Sequence, residues 1–120
     1  MLIYVGDPMC SWCYGFGPQL DELLGRFRNR IGCEVLVGGL RPYTTAVMDE
    51  AMKAMLFHHW TEVEKRSGQP FRFDLLARND FVYDTEPASR AVTAARTLDA
   101  GLALPLFAAL QAPSIAIAAT

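Results

Sequence analysis

The segment Asp7-Pro8-Met9-Cys10-Ser11-Trp12-Cys13-Tyr14-Gly15-Phe16 follows an apolar run, opens an amphipathic one, and spaces two cysteines as C-x-x-C. At a helix N-terminus the unpaired N–H groups favour a thiolate over a thiol, and two thiols at this spacing can close a small disulfide ring. Cys10 is therefore the candidate nucleophile. Cys13, about one turn deeper, is expected to be more enclosed and less acidic, which suits a thiol that resolves a mixed disulfide formed at Cys10. Pro8, Ser11 and Trp12 are the candidate tuning residues. Pro8 marks the turn, while the intervening pair either sets N–H orientation and access around the sulfurs or simply fills the turn. Half of a metal site and two inert thiols are competing readings of the same spacing, but a position directly after a strand-like run favours redox chemistry.

Working outward, Leu2–Val5 is a short apolar run with β-branched and aromatic members, ended by Gly6-Asp7-Pro8, and it predicts a buried strand. Leu20, Leu23, Leu24 and Phe27 recur at i, i+3, i+4, i+7 and predict one apolar face on a helix that begins near Cys10. Pro18 then lies inside that helix and predicts a kink, unless the helix starts later. Asn29-Arg30-Ile31-Gly32 stops it. Cys33, Val35 and Val37 alternate with Glu34 and Leu36 as a second strand, and a connection of this length makes the two strands a right-handed parallel βαβ unit. Cys33 reads as a small buried hydrophobe.

Beyond Gly38-Gly39 a helix is expected from Thr44 or Thr45, either of which could cap it. Met48, Met52, Met55, Leu56 and His59 recur at helical spacing and read as core, a Met-lined substrate groove being the sharper alternative. Asp49, Glu50, Lys53, Glu62, Glu64, Lys65 and Arg66 are expected to solvate the other faces. His58 and His59 point in different directions and make poor joint ligands. Ser67-Gly68-Gln69-Pro70 breaks the helix and Phe71–Val82 reads as a loop. Thr85 is the expected cap of a helix packing through Ala88, Ala91, Val92 and Ala95. A last helix uses Leu102, Leu106, Phe107 and Leu110, with Pro105 near its start.

A chain of 120 residues, 52% hydrophobic and with mixed charges, can bury the core of one domain. A net charge of -2 without a Lys/Arg cluster gives no electrostatic reason for a nucleic-acid or anionic-membrane partner. Met1–Val5 has no basic n-region and reaches the C-x-x-C turn too soon for a secretory signal, so a cytoplasmic address is expected. No apolar run approaches the ~20 residues of a membrane span.

The segment around Cys10 and Cys13 resembles the active-site segment of DsbA-like thioredoxin-fold oxidoreductases, in their FrnE-like branch. Gly38-Gly39-Leu40-Arg41-Pro42, His58-His59-Trp60, Gly68-Gln69-Pro70-Phe71 and Tyr83-Asp84-Thr85-Glu86-Pro87-Ala88-Ser89-Arg90-Ala91 extend the resemblance to about Gln111. It implies an α/β fold over 1–111, a thioredoxin-like βαβ unit at 1–43 followed by an inserted helical block at 44–111. It also implies a C-terminal strand hairpin with a cis-proline loop and a closing helix, which the sequence does not supply. The tail 112–120 carries no charge and does not match. Shifted by one base through GC-rich codons, it gives Arg-Ala-Phe-Tyr-Arg-Asp, so a frameshifted or truncated gene is expected. The first strand would then have an open edge, prone to self-association, that Ile115 and Ile117 could cover only as a makeshift strand.

The expected function is thiol-disulfide oxidoreductase or isomerase, acting through Cys10 and Cys13 on protein thiols and disulfides or small thiols, with no cofactor and no metal. Relatives of the hydroxychromene-carboxylate isomerase type, which use glutathione, generally carry serine where Cys10 stands, which disfavours that alternative. A non-enzymatic fragment that binds zinc or protein is a further alternative from a different class.

Overall fold

The computed structural model describes residues 1–27 and 30–112. The apolar run becomes strand β1, Leu2–Gly6, and the alternating run becomes β2, Cys33–Val37, joined by helix α1, Ser11–Arg26. The strands pair in parallel, with Leu2 opposite Cys33 and Gly6 opposite Val37. Helices α2 (Glu50–Ser67), α3 (Glu86–Leu98) and α4 (Ala103–Gln111) follow, with single 3-10 turns at Asp74–Ala77 and Ala100–Leu102. The result is a mixed α/β arrangement, a partial thioredoxin-like fold. The expectation for the tail falls on residues 113–120, outside the described residues.

Strand β1 is only half as buried as its composition suggests. Tyr4 packs inward, while Ile3 and Val5 point to the other face and remain exposed. In a two-stranded sheet covered by helices on one side, side-chain alternation leaves every second apolar residue without cover.

Helix α1 starts at Ser11 and runs through Pro18 as one element, which removes the later-start alternative. Proline has no N–H to donate to the carbonyl four residues earlier. That carbonyl belongs to Tyr14, and the Gln69 amide donates to it at 3.3 Å. The Tyr14 hydroxyl also donates to the Pro70 carbonyl at 2.6 Å, so the Gly68-Gln69-Pro70 break docks on the turn that follows the dithiol. Burial along α1 differs from the expected stripe. Leu20 is buried, Leu24 and Phe27 are half-buried, and Leu23 is exposed, whereas Ser11, Tyr14 and Gly15 are buried near the N-terminus. The N-terminal half is where α1 meets α2, and a Cβ at Gly15 would lie 2.6 Å from Val63 Cγ1.

Helix α2 begins later than the threonines suggest. Asp49 is its N-cap, its carboxylate accepting from the Met52 N–H at 2.8 Å, while the Thr44 hydroxyl donates to the Arg41 carbonyl instead. An ionised carboxylate at the cap also meets the helix dipole favourably. The buried face of α2 is Lys53, Leu56, Trp60 and Val63, so the expected stripe holds at Leu56, with Met48 and Met52 in or against the same core, and fails at Met55 and His59. Met48 is buried but precedes the helix, Met52 is half-buried, and Met55 and His59 are exposed. Lys53 is likewise not a solvating residue: its ammonium donates to Glu50 at 3.3 Å and to Asn79 at 3.1 Å, tying the Asn79-Asp80 turn to α2. The left-handed C-cap at Gly68 ends the helix where the sequence places the break.

Thr85 does not cap α3 through its side chain. Its hydroxyl, fully buried, accepts from the Arg41 N–H at 2.8 Å, and Asp84 accepts from the Glu86 N–H. The sequence pattern around Pro87 gives the helix start but not which neighbour bonds to it. In α4 the buried side chains are Ala103, Phe107 and Gln111, with Leu106 and Leu110 half-buried and Leu102 exposed.

The core has two parts. Tyr14, Met48, Leu56, Trp60, Val63, Phe71, Leu76 and Tyr83 form one, and the segment read as a loop supplies two of its members. Val35, Val92, Ala103 and Phe107 form the other, with Tyr4, Cys13 and Cys33 against it. Helix α1 contributes to both, which fixes the dithiol turn at their junction.

Candidate active site

Cys10 is the N-cap of α1, with extended backbone, its carbonyl accepting from the Tyr14 N–H at 3.1 Å. The turn that delivers it is held from three sides. The buried Asp7 carboxylate accepts from the Met9 N–H at 2.8 Å and from the Leu40 N–H at 2.9 Å, with the Ser89 hydroxyl at 3.5 Å. The Tyr83 hydroxyl donates to the Met9 carbonyl at 2.6 Å. Pro8 is fully buried between these contacts. The Met9 backbone, in a loop with no ladder of its own, is thus satisfied by the Asp7 and Tyr83 side chains, and the Asp7 carboxylate is in turn tied to the Leu40 N–H past β2 and to Ser89 on α3.

Cys10, Cys13 and Cys33 are all free thiols. As a neutral group the Cys10 side chain makes no cap hydrogen bond. Its ionised form is favoured first by the Cys13 thiol and then by the Cys13 and Trp12 N–H groups. Together these outweigh burial and the Asp7 charge and bring it from 9.0 to about 6. Cys13 moves the opposite way, because its thiol serves the Cys10 thiolate and because it is partly buried. Burial alone pushes Cys33 up. The two thiols of the motif thus occupy opposed protonation states near neutral pH.

Ser11 is buried at the first turn, while Trp12 is half exposed beside Cys10 with the Arg66 guanidinium 6.0 Å from its ring centre. Trp12 and the exposed Phe16 give the dithiol an apolar rim. Beneath it, between α1, β1 and α4, runs a groove of about 530 Å³ that reaches Tyr4, Cys13, Pro18, Phe107 and Gln111. Asp7, Tyr83 and Ser89 were not among the sequence-derived site residues. Tyr83 and Ser89 lie in a run the sequence does single out, but only the fold shows that it packs on the cysteine turn. His58 and His59 are both exposed on α2, their ring centres 6.0 Å apart and tilted by 54°. Among the described residues no group of three or more His, Cys, Asp or Glu side chains is placed to hold a metal ion.

The geometry has solved counterparts. A candidate protein disulfide isomerase from Nitrosomonas europaea superposes with a TM-score of 0.82 at 35% identity, over 91% of this chain and 52% of that one. The chain carries part of a DsbA-like thioredoxin fold. The cytosolic disulfide reductase DsbM from Pseudomonas aeruginosa matches this chain with a TM-score of 0.74 at 31% identity, over 91% and 51% of the two chains. DsbM with GSH matches at 0.73 and 31% identity, over 91% and 52%. The chain therefore spans about half the length of the solved relatives it matches. No family model matches it, and no curated protein matches it closely.

Proposed function

We propose that the chain carries the dithiol centre of a thiol-disulfide oxidoreductase or isomerase, with Cys10 as nucleophile and Cys13 as resolving thiol. The observation that carries this reading is the opposed acidity of two neighbouring thiols at a helix N-terminus, one lowered to about 6 and the other raised. The Cys10 thiolate attacks one sulfur of a substrate disulfide, forming a mixed disulfide and releasing the other substrate sulfur as a thiolate. Cys13 then loses its proton and attacks the Cys10 sulfur, so that the Cys10–Cys13 bond forms as the bond to substrate breaks. Two electrons pass from the dithiol to the substrate, and the proton from Cys13 leaves with the second substrate thiol. The reverse path donates a disulfide.

Ser11, Trp12 and Pro8 tune this centre through the turn and the apolar rim. Protein thiols and small thiols are the proposed substrates, the latter supported by the DsbM structure with GSH. A cytoplasmic setting is supported by the likeness to a cytosolic reductase, and no helix among the described residues is long and apolar enough to cross a membrane. Residues 1–43 act as the dithiol-bearing unit and 44–111 as the helical block that braces it. Self-association through the outer edge of β1 belongs to the same reading.

Alkylation tests the assignment. At mildly acidic pH, iodoacetamide should label Cys10 well before Cys13 or Cys33, with mass-spectrometric mapping as the readout. Cys10→Ser should abolish exchange, and Cys13→Ser should trap a mixed disulfide. Equal labelling of the three cysteines, or no adduct on Cys13→Ser, would defeat the proposal.

A further inference from the structure

The cavity side of Cys13 offers a second partner besides Cys10. Tyr4 and Cys13 line the same groove and pack against the same Val35–Phe107 core. The Tyr4 ring is held in place from two sides, stacked on Phe16 at 6.4 Å and edge-on to Phe107 at 5.6 Å. A Cβ at Gly6 would stand 3.1 Å from both the Tyr4 ring and Phe107, so the absence of a side chain there leaves the ring its place. The phenol of this fixed ring shares the groove with the Cys13 thiol, and each group shifts the other's hold on its proton. Tyr4 itself stays protonated through the neutral range, since burial and the neighbouring sulfurs raise it.

We propose that Tyr4 is a positioning residue for the resolving step, its phenol donating a hydrogen bond to the Cys13 sulfur as that sulfur becomes a thiolate. This rests on the proposed exchange chemistry and assigns a step of it to a residue outside the C-x-x-C motif. In the resting dithiol the Cys13 proton serves the Cys10 thiolate, which is the first cause holding Cys13 neutral. Once Cys10 is bonded to substrate its charge is gone, and that cause vanishes with it. Burial then opposes ionisation, and the phenol favours it by donating a hydrogen bond to the sulfur in a partly buried site. The phenol keeps its proton throughout. The Cys13 proton leaves with the departing substrate thiol, and the electron balance of the exchange is unchanged.

The titratable groups around Cys13 are few. Cys10 and Asp7 lie on the cysteine turn, Tyr4 on β1 with Cys33 beside it on β2, Tyr83 on the segment before α3, and Asp21 farther along the groove. Helix α4 brings no charged side chain to it.

In a Cys33→Ala background, which removes the third free thiol, Ellman's reagent separates the two half-steps, because attack by Cys10 releases one thionitrobenzoate and resolution by Cys13 releases a second. Stopped-flow traces of the reduced chain across pH 5–9 should show both phases. In Tyr4→Phe, which keeps the ring and its packing, the first phase should stay within about twofold while the second slows about tenfold at neutral pH. Its pH midpoint should also move upward by about one unit. Superimposable second phases, or equal slowing of both phases, would overturn the role of Tyr4. A Cys33→Ala chain with Tyr4 intact that releases no second equivalent would sink the exchange reading itself, and the two failures are distinguishable.

Discussion

At the residue scale the decisive quantity is where a proton sits. Cys10 is lowered by donors that exist only when the turn is folded: the Cys13 thiol and the N–H groups of Cys13 and Trp12. A thiol whose folded value lies below its unfolded one stabilises the folded chain fully above the unfolded value, and that contribution is lost as pH falls through the folded value. For Cys10 the window runs from about 9.0 down to about 6. Cys13, raised in the fold, has the opposite sign, because above the ordinary thiol range the unfolded chain gives up that proton and the folded chain does not. The reduced chain should therefore gain stability from mildly acidic pH up to the thiol range and lose it beyond. Urea unfolding of reduced wild type and of Cys10→Ser at several pH values checks this, and the rise should be missing in the variant. Asp7 belongs to the same scale. Its carboxylate raises Cys10 while holding the turn that exposes it, so acidity is given up for geometry.

At the element scale the joint between α1 and α2 sets the position of the dithiol. The two helices approach closely enough at Gly15 that no side chain fits there, with Val63 completely buried opposite. Adding a methyl group to a packed contact forces side chains or backbone to shift, at a typical cost of about 1–3 kcal/mol. Gly15→Ala should lower the unfolding free energy by about that amount and, by pushing α1 from α2, loosen the Tyr14–Pro70 and Tyr14–Gln69 contacts. Denaturant midpoints measure the first effect, and a weakened preference for alkylation at Cys10 reads out the second. A Gly15→Ala chain as stable as wild type would contradict the close packing. Gln69 shows how such joints are completed, since its amide fills the vacancy that Pro18 leaves at the Tyr14 carbonyl.

At the scale of the whole molecule, the sheet is a single β1–β2 pair among the described residues. Among the described residues no strand lies beside the outer edge of β1, and Ile3 and Val5 stand exposed. An uncharged strand with a free edge is a template for another strand. The chain is expected to associate as its concentration rises, and Ile3→Lys with Val5→Lys should suppress this without changing the helical circular-dichroism signal. Sedimentation velocity over a concentration series is the measurement, and a monomer at every concentration would overturn the expectation.

How much of this could be read without coordinates follows from the range of each interaction. The sequence by itself determined the strand-helix-strand order, the start of α1 at the cysteines, and the Gly68 break. It also gave the candidate roles of Cys10 and Cys13, because turn chemistry, alternation and helix-end electrostatics act over a few neighbouring residues. The inward face of α2 was only partly legible. Helical spacing allows several stripes on one helix, and contact with α1 and the Phe71 segment keeps Leu56 of the expected stripe but selects Trp60 and Val63 over Met55 and His59. Asp49 in place of Thr44 or Thr45 as a cap, and Thr85 turned toward Arg41, are choices among equally capable side chains that only tertiary neighbours make. The supports of the site lie farther still from the motif: Tyr83 holds Met9 from 74 residues away and Ser89 reaches Asp7 across 82. Tertiary structure alone decided these, since hydrogen bonds between distant residues depend on how the helical segments pack against the cysteine turn, and no local pattern encodes that packing.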